Sequence, residues 1–349
     1  MSSPIDNSIA REALRTRLLT DLAADRVPHA IMFCGPQQAG KLAMALDFAR
    51  ALLCQHPQPD GQPCGQCISC RMAAKLEHPD LHFAFPIVKD AKTKTEEATS
   101  DIFIKEWRAQ LIENPYFDLD QWLIVMGAEN QQAKYYVAEA ANIARKLVLK
   151  SNQGGRKVML IWLPEKMNAE TANALLKLFE EPPAGTHFIM VSDEPDLMLA
   201  TILSRTQRIL VPPMPDDEWR SVCPEKDEGQ DFELFVRLMR LAYQRKAKEL
   251  REWADEVSAM GRERQKQFLA FAQRMARENF IYNFQQPELN SLTTEQEAFS
   301  RNFARFVNER NIISFTDELQ RAETDIVQNV NPRMVFFGLA LQIIVLLKS

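Results

Sequence analysis

Apolar residues recur at helical spacing over residues 8–24, where Ile9, Leu14, Leu18 and Leu22 fall near one face, predicting an amphipathic helix. The continuous apolar run Ile31-Met32-Phe33 reads instead as a buried strand. Gly35-Pro36-Gln37-Gln38-Ala39-Gly40-Lys41-Leu42 follows, and helix-forming residues continue to Leu53. Lys157 to Leu163 and His187 to Val191 predict two more strands, and Gln207 to Val211 a short fourth. Asn168 to Glu180 reads as a helix closed by Pro182-Pro183, and Pro195 to Leu203 as another. Residues 102–150 are expected to be mostly helical, with Asn152-Gln153-Gly154-Gly155 as a turn. Strands alternating with helices predict an α/β domain with a mostly parallel sheet over residues 1–215, ending near Pro212-Pro213-Met214-Pro215. Residues 216–230 read as a polar connector or a reduced lid, and residues 231–349 as an all-α domain broken only by a polar stretch at 286–294. Residues 89–101 are charged and aperiodic, which predicts an exposed loop.

Composition narrows the class. The chain has 349 residues, 46% of them apolar and 26% charged, as expected of a soluble protein with two or three domains. A net charge of -5 argues against broad, non-specific binding to DNA by this chain alone. The most apolar stretch, Val335 to Leu347, is short for a membrane span and reads as a buried helix. Its beginning has no basic segment followed by a long apolar run, so a cytoplasmic location is expected.

Gly35, Gly40 and Lys41 match G-x-x-x-x-G-K between a strand and a helix. Such glycines turn backbone N–H groups toward phosphate, and the lysine neutralises it. The next position normally supplies a hydroxyl to Mg²⁺, and here it is Leu42. The second strong strand should end in carboxylates that hold Mg²⁺ and polarise water, yet Trp162 and Leu163 stand there. With three groups gone together, ATP and Mg²⁺ are not expected to bind productively, and no catalysis is expected at this chain's own site.

Cys64-x-x-Cys67-x-x-Cys70 with Cys54 upstream gives four soft ligands in a short loop, the donor set of a closed structural Zn²⁺ site. Gly61 and Gly65 ease the bends. Cys34 and Cys223 lie apart and are expected only to pack. Arg237, Arg240, Arg245, Lys246, Lys248 and Arg251 are interleaved with acids, the pattern of a solvated helix face.

Asn173-Ala174-Leu175-Leu176-Lys177, Glu180-Glu181-Pro182-Pro183 and Thr201-Ile202-Leu203-Ser204-Arg205, in this order, closely resemble the AAA+ subunits of bacterial DNA polymerase III clamp loaders. The resemblance runs from about residue 9 to 213 and resumes at Asn329-Val330-Asn331-Pro332-Arg333. Lacking the hydroxyl and the acids, the chain resembles the delta-prime branch rather than the ATP-hydrolysing gamma/tau subunits. The resemblance implies an α/β P-loop (AAA+-like) parallel-sheet domain with an inserted zinc module at 54–70, followed by an all-α C-terminal collar domain. It implies gamma/tau and delta subunits as partners, reaching the sliding clamp and primed DNA through the complex, with no membrane involved. It also implies that Arg205, with Ser204, completes a neighbouring subunit's ATP site, as an arginine can at developing phosphate charge. Thr206 replaces the family's cysteine, Ser192-Asp193 replaces its usual Thr-Asn sensor, and residues 89–135 read as an insertion. The competing reading is an active gamma/tau-type ATPase. A P-loop kinase would need the same Mg²⁺ ligands, and a zinc-dependent nucleic-acid binder fits poorly with a closed site and net acidity.

Overall fold

The computed structural model describes residues 4–36, 39–89, 97–128, 131–151, 155–222, 228–284, 290 and 292–348. Expectations for Gln37, Gln38, residues 90–96, most of the 152–155 turn, Cys223 and most of the 286–294 break lie outside the described residues. The chain divides into two compact units, one built from Met1–Ala128 and Ala133–Pro224 and one from Glu129–Gln132 and Glu225–Ser349.

The first unit is organised by five parallel strands: β1 (Ala30–Cys34), β2 (Leu81–Ala84), β3 (Lys157–Trp162), β4 (Thr186–Ser192) and β5 (Gln207–Leu210). Their order across the sheet is β2-β3-β4-β1-β5. Every residue of β1 and β3 is buried, which is why these segments read as unbroken apolar runs. Alternate side chains serve opposite faces. Ile31, Phe33, Val158, Leu160, Ile189 and Val191 pack under α1 (Pro4–Ala23), α2 (Lys41–Leu53), α4 (Ile104–Glu113) and α5 (Leu119–Val125). Met32, Met159, Ile161, Phe188 and Met190 pack under α6 (Val137–Val148), α7 (Ala169–Glu180) and α8 (Ala200–Leu203). The Asn168 side chain accepts from Thr171 N–H and starts α7, a cap worth about 1 kcal/mol.

Three features differ from expectation. β2 gives no alternation long enough to notice, and it is a strand because β3 offers it a parallel edge from Leu81↔Val158 to Ala84↔Ile161. The stretch 89–101 is not an exposed loop at its far end. Ala98 and Ser100 are fully buried, and Ser100 N–H and Oγ both donate to the buried Glu139 carboxylate. Residues 216–230 are not connector throughout, because Asp216–Val222 forms a helix, α9.

The remainder of the first unit includes a short helix, α3 (Ile68–Ala74). The second unit is helical, with α10 (Gly229–Tyr243), α11 (Ala247–Ser258), α12 (Arg262–Tyr282), α13 (Thr294–Phe303), α14 (Ile312–Val327) and α15 (Pro332–Leu346). Phe235, Leu238, Trp253, Phe268, Phe315 and Phe336 form its core. In α15, Phe336, Leu339 and Ile343 are buried while Leu341 and Val345 are exposed. Arg333 grips Asp255 of α11 through two hydrogen bonds, one of them 2.7 Å, and so fixes the start of α15. Arg237 pairs with Glu256 at 2.7 Å and Lys246 with Glu249 at 3.7 Å, as a solvated helix face would. No described helix is long and apolar enough to cross a membrane.

Candidate functional site

β1 delivers the chain to the carboxyl edge of the sheet between β4 and β5, where an open parallel sheet holds its ligands. The phosphate loop turns there into α2. Gly35 has φ 147°, and a β-carbon on it would lie 2.6 Å from the Val211 carbonyl oxygen. Gly40 caps α2 in the left-handed region at φ 59°, where glycine is favoured. Lys41, only 4% exposed, points into its own loop. Its ammonium donates to the Gly35 carbonyl at 2.8 Å and the Pro36 carbonyl at 2.7 Å, and lies 2.8 Å from the Asp193 carboxylate. Leu42 is buried in the core beside Leu46 and Phe48.

At the end of β3, Trp162 and Leu163 are buried where carboxylates would be needed. Trp162 lies 5.1 Å from the Trp107 ring and 5.2 Å from the Phe117 ring. Trp107 in turn stacks on Phe85 at 4.2 Å and meets Trp122 edge-on at 5.1 Å. Trp107, Phe117 and Trp122 all belong to the segment between residues 89 and 135, which therefore packs an aromatic cluster onto the end of β3. Leu163 follows at φ 53°, an uncommon conformation for a residue with a side chain. Its N–H is held by the Val191 carbonyl at 2.7 Å.

Glu165, three positions beyond Trp162, reaches back to the end of β4. It accepts from Ser192 Oγ at 2.8 Å, Asp193 N–H at 2.9 Å and Glu194 N–H at 3.2 Å. Burial pushes the Glu165 carboxyl up, and the N–H of Asp193 and the Ser192 hydroxyl only partly offset this. The Ser192-Asp193 segment is thus fixed from one side by Glu165 and from the other by Lys41.

Arg205 lies outside this cluster, at the end of α8. Its guanidinium is about one-third exposed and pairs with Glu180 at 2.8 Å, while donating to the Thr201 carbonyl at 2.9 Å and Ser204 Oγ at 3.1 Å. Ser204 Oγ donates to the Thr201 carbonyl at 3.0 Å. The motif residues Glu180, Thr201, Ser204 and Arg205 therefore form one surface constellation, with the arginine preset rather than free to swing.

The four cysteines also come together. All four sulfurs lie within 4.8 Å of one another, with Cys54–Cys64 at 3.6 Å and Cys64–Cys70 at 3.9 Å. Zn–S bonds of about 2.3 Å in a tetrahedron separate sulfurs by about 3.8 Å, so the group fits a Cys₄ metal site. Backbone N–H groups of Cys64, Cys67 and Cys70 donate to the sulfurs of Cys54, Cys64 and Cys67 respectively, supporting negative charge there. Burial works upward on the Cys67 thiol, but hydrogen bonds from the backbone of Cys70 and Gln55 bring it down to about 6. Gly61 lets the loop press on α1, since a β-carbon there would lie 2.1 Å from the Leu19 carbonyl oxygen. His78 is occupied with Ser69 at 3.0 Å and is no part of the sulfur cluster. Cys34 packs in the sheet with burial raising its thiol, as expected of a cysteine outside the cluster.

Sequence reasoning missed four residues at the loop: Arg11, Tyr116, Met214 and Trp219. Arg11 of α1 donates to the Ala39 carbonyl and, at 3.0 Å, to the Pro212 carbonyl. A β-carbon on Gly40 would lie 2.9 Å from the Tyr116 ring and 3.1 Å from the Met214 sulfur. The Tyr116 ring meets Trp219 of α9 edge-on at 6.2 Å. The density of aromatics between residues 89 and 135 was the available signal; a solvated excursion has little use for Trp107, Tyr116, Phe117 and Trp122.

A parallel α/β sheet carrying a G-x-x-x-x-G-K turn, in a chain with a helical C-terminal region, fits an AAA+-like fold. Within that class the chain belongs to the DNA polymerase III delta subunit family, whose model matches residues 10–215. It is 33% identical over 177 residues to a delta-prime subunit of Pseudomonas aeruginosa, covering 51% of this chain and 41% of that one. A delta-prime subunit of Escherichia coli is 26% identical over 200 residues, covering 57% of this chain and 47% of that one. A tau subunit of Bacillus subtilis is 27% identical over 203 residues, covering 58% of this chain and 28% of that one. The matched region spans less than half the length of each of these relatives. A gamma subunit-related DNA polymerase III protein of Thermotoga maritima aligns over 94% of this chain and 99% of its own, at 13% identity and a TM-score of 0.38, a likeness too weak to carry weight. The delta-prime resemblance rests on the family match and these relatives.

Proposed function

We propose that this chain is a non-hydrolysing, delta-prime-type subunit of a DNA polymerase III clamp loader. It assembles with gamma/tau and delta subunits, helps place the sliding clamp on primed DNA, and gives Arg205 to a neighbouring subunit's ATP site. The observation that carries the reading is the buried hydrocarbon at its own site. Leu42, Trp162 and Leu163 stand where Mg²⁺ and the attacking water need oxygen ligands. Arg205 supports the second half, since it is surface-exposed and held in place by Glu180, Thr201 and Ser204. A neighbour's phosphate would compete with Glu180 for the guanidinium, a replacement of one anionic acceptor by a more highly charged one.

In this reading the four cysteines hold one structural Zn²⁺, with no open position for chemistry. The helices after residue 228 serve as the collar that meets sister subunits, and the complex works in the cytoplasm.

The test is ATP turnover of the reconstituted complex with clamp and primed DNA, beside each subunit alone. Wild-type chain alone is expected to be inactive. Arg205→Ala should leave assembly intact and lower turnover at the neighbour's site by about 10³-fold, the usual worth of such an arginine. Unchanged turnover in an assembled complex would remove Arg205 from the site. Relatives named tau bring the alternative of an active gamma/tau-type ATPase, which substantial turnover by the pure chain would establish.

A further inference from the structure

Four elements distant in sequence converge on the phosphate loop. From α1, Arg11 donates to the Ala39 and Pro212 carbonyls. From between α4 and α5, the Tyr116 ring lies over Gly40, and from beyond β5 the Met214 sulfur approaches the same point. From the end of β4, Asp193 reaches Lys41 at 2.8 Å. Tyr116 is held in turn by α9. Its N–H donates to Asn114 Oδ1 at 2.7 Å, the Asn114 amide donates to the Val222 carbonyl at 2.7 Å, and Trp219 meets its ring edge-on.

We propose that the phosphate loop is closed from within, with Asp193 taking an anion's place at Lys41 and Tyr116, braced by α9, covering the backbone at Gly40. The proposal rests on the reading that this site does not hydrolyse ATP, and goes further: the site is filled, not merely short of metal ligands. An ammonium has three donors, and Lys41 has three acceptors, namely the carbonyls of Gly35 and Pro36 and the Asp193 carboxylate. A phosphate oxygen arriving at Lys41 must displace Asp193, which Glu165 holds in place through the Asp193 N–H. It must also displace the Tyr116 ring, which stands where Gly40, having no β-carbon, lets the backbone be approached. The 89–135 segment and the short helix α9 thereby acquire a common task, since they meet at Asn114, Tyr116 and Trp219.

The test is isothermal titration of the full chain with ADP, and with tripolyphosphate as a probe lacking the base, both without metal. Wild type is expected to show no saturable heat up to about 1 mM. The double variant Asp193→Asn with Tyr116→Ala is expected to bind at least about tenfold tighter than that ceiling, and adding Lys41→Ala should abolish the gain. Saturable binding by wild type overturns the proposal, as does silence from a double variant whose circular dichroism and melting match wild type. If the double variant does not fold, acetylation of Lys41 in the wild-type chain, read by peptide mass, decides. Lys41 protected relative to the exposed Lys105 and Lys248 supports closure, and labelling as fast as theirs overturns it. None of these outcomes touches the Arg205 reading, which is measured in the neighbour's turnover.

Discussion

His82 shows how a single side chain can tie stability to pH. Burial pushes its pKa down from 6.5 to about 4; Lys146 and Lys157 push the same way, and Asp80 and Asp101 oppose them. The unfolded chain takes up the proton near pH 6.5 while the folded chain resists it. Stability from this group is therefore complete above pH 6.5 and is lost as pH falls toward 4, by on the order of 3 kcal/mol at most. Urea midpoints measured across that window should slope less steeply in His82→Phe than in wild type; an unchanged slope would assign the dependence to other groups. The cysteines give a second residue-scale expectation. Purified chain should carry one zinc, and Cys67→Ser should weaken its affinity by more than the roughly 10–100-fold typical of losing a supporting hydrogen bond. Competition with a chromogenic chelator measures this. A metal-free chain that melts no lower after chelation would remove zinc from the account.

At the scale of elements, α4 and α5 are held to the sheet by aromatic burial. Trp107 has no exposed surface and touches Phe85, Phe117, Trp122 and Trp162. Trp107→Ala should cost about 3–5 kcal/mol, the range for emptying a large buried aromatic. Trp107→Phe should cost far less, because it keeps most of the stack and removes an indole N–H for which no acceptor is found among the described residues. Chemical denaturation of the two variants compares them directly; equal losses would show that the indole's full size, not the ring stack, is what matters. The same contacts explain why Trp162 can occupy the end of β3, since a carboxylate there would be buried against the Trp107 and Phe117 rings at a desolvation cost.

For the whole molecule, the Arg205→Ala experiment asks a question that an isolated chain cannot answer, because in the proposed function the reacting phosphate belongs to another subunit. What the sequence determined by itself were the elements with strong local signatures. The apolar runs of β1, β3 and β4 allowed little but buried parallel strands. The G-x-x-x-x-G-K spacing forced the turn into α2, and the cysteine spacing let one short loop bring four sulfurs together. The substitutions Leu42, Trp162 and Leu163 were equally legible, since a hydrocarbon side chain cannot hold Mg²⁺ in any fold. Only the tertiary structure decided what fills that site. Lys41 and Asp193 are 152 positions apart, and Gly40 and Tyr116 are 76 apart. Neither pairing leaves a mark on local periodicity, because contacts between distant segments depend on how whole layers stack. For the same reason β2 became a strand only beside β3, and α9 was hidden in a stretch whose polarity suggested a connector.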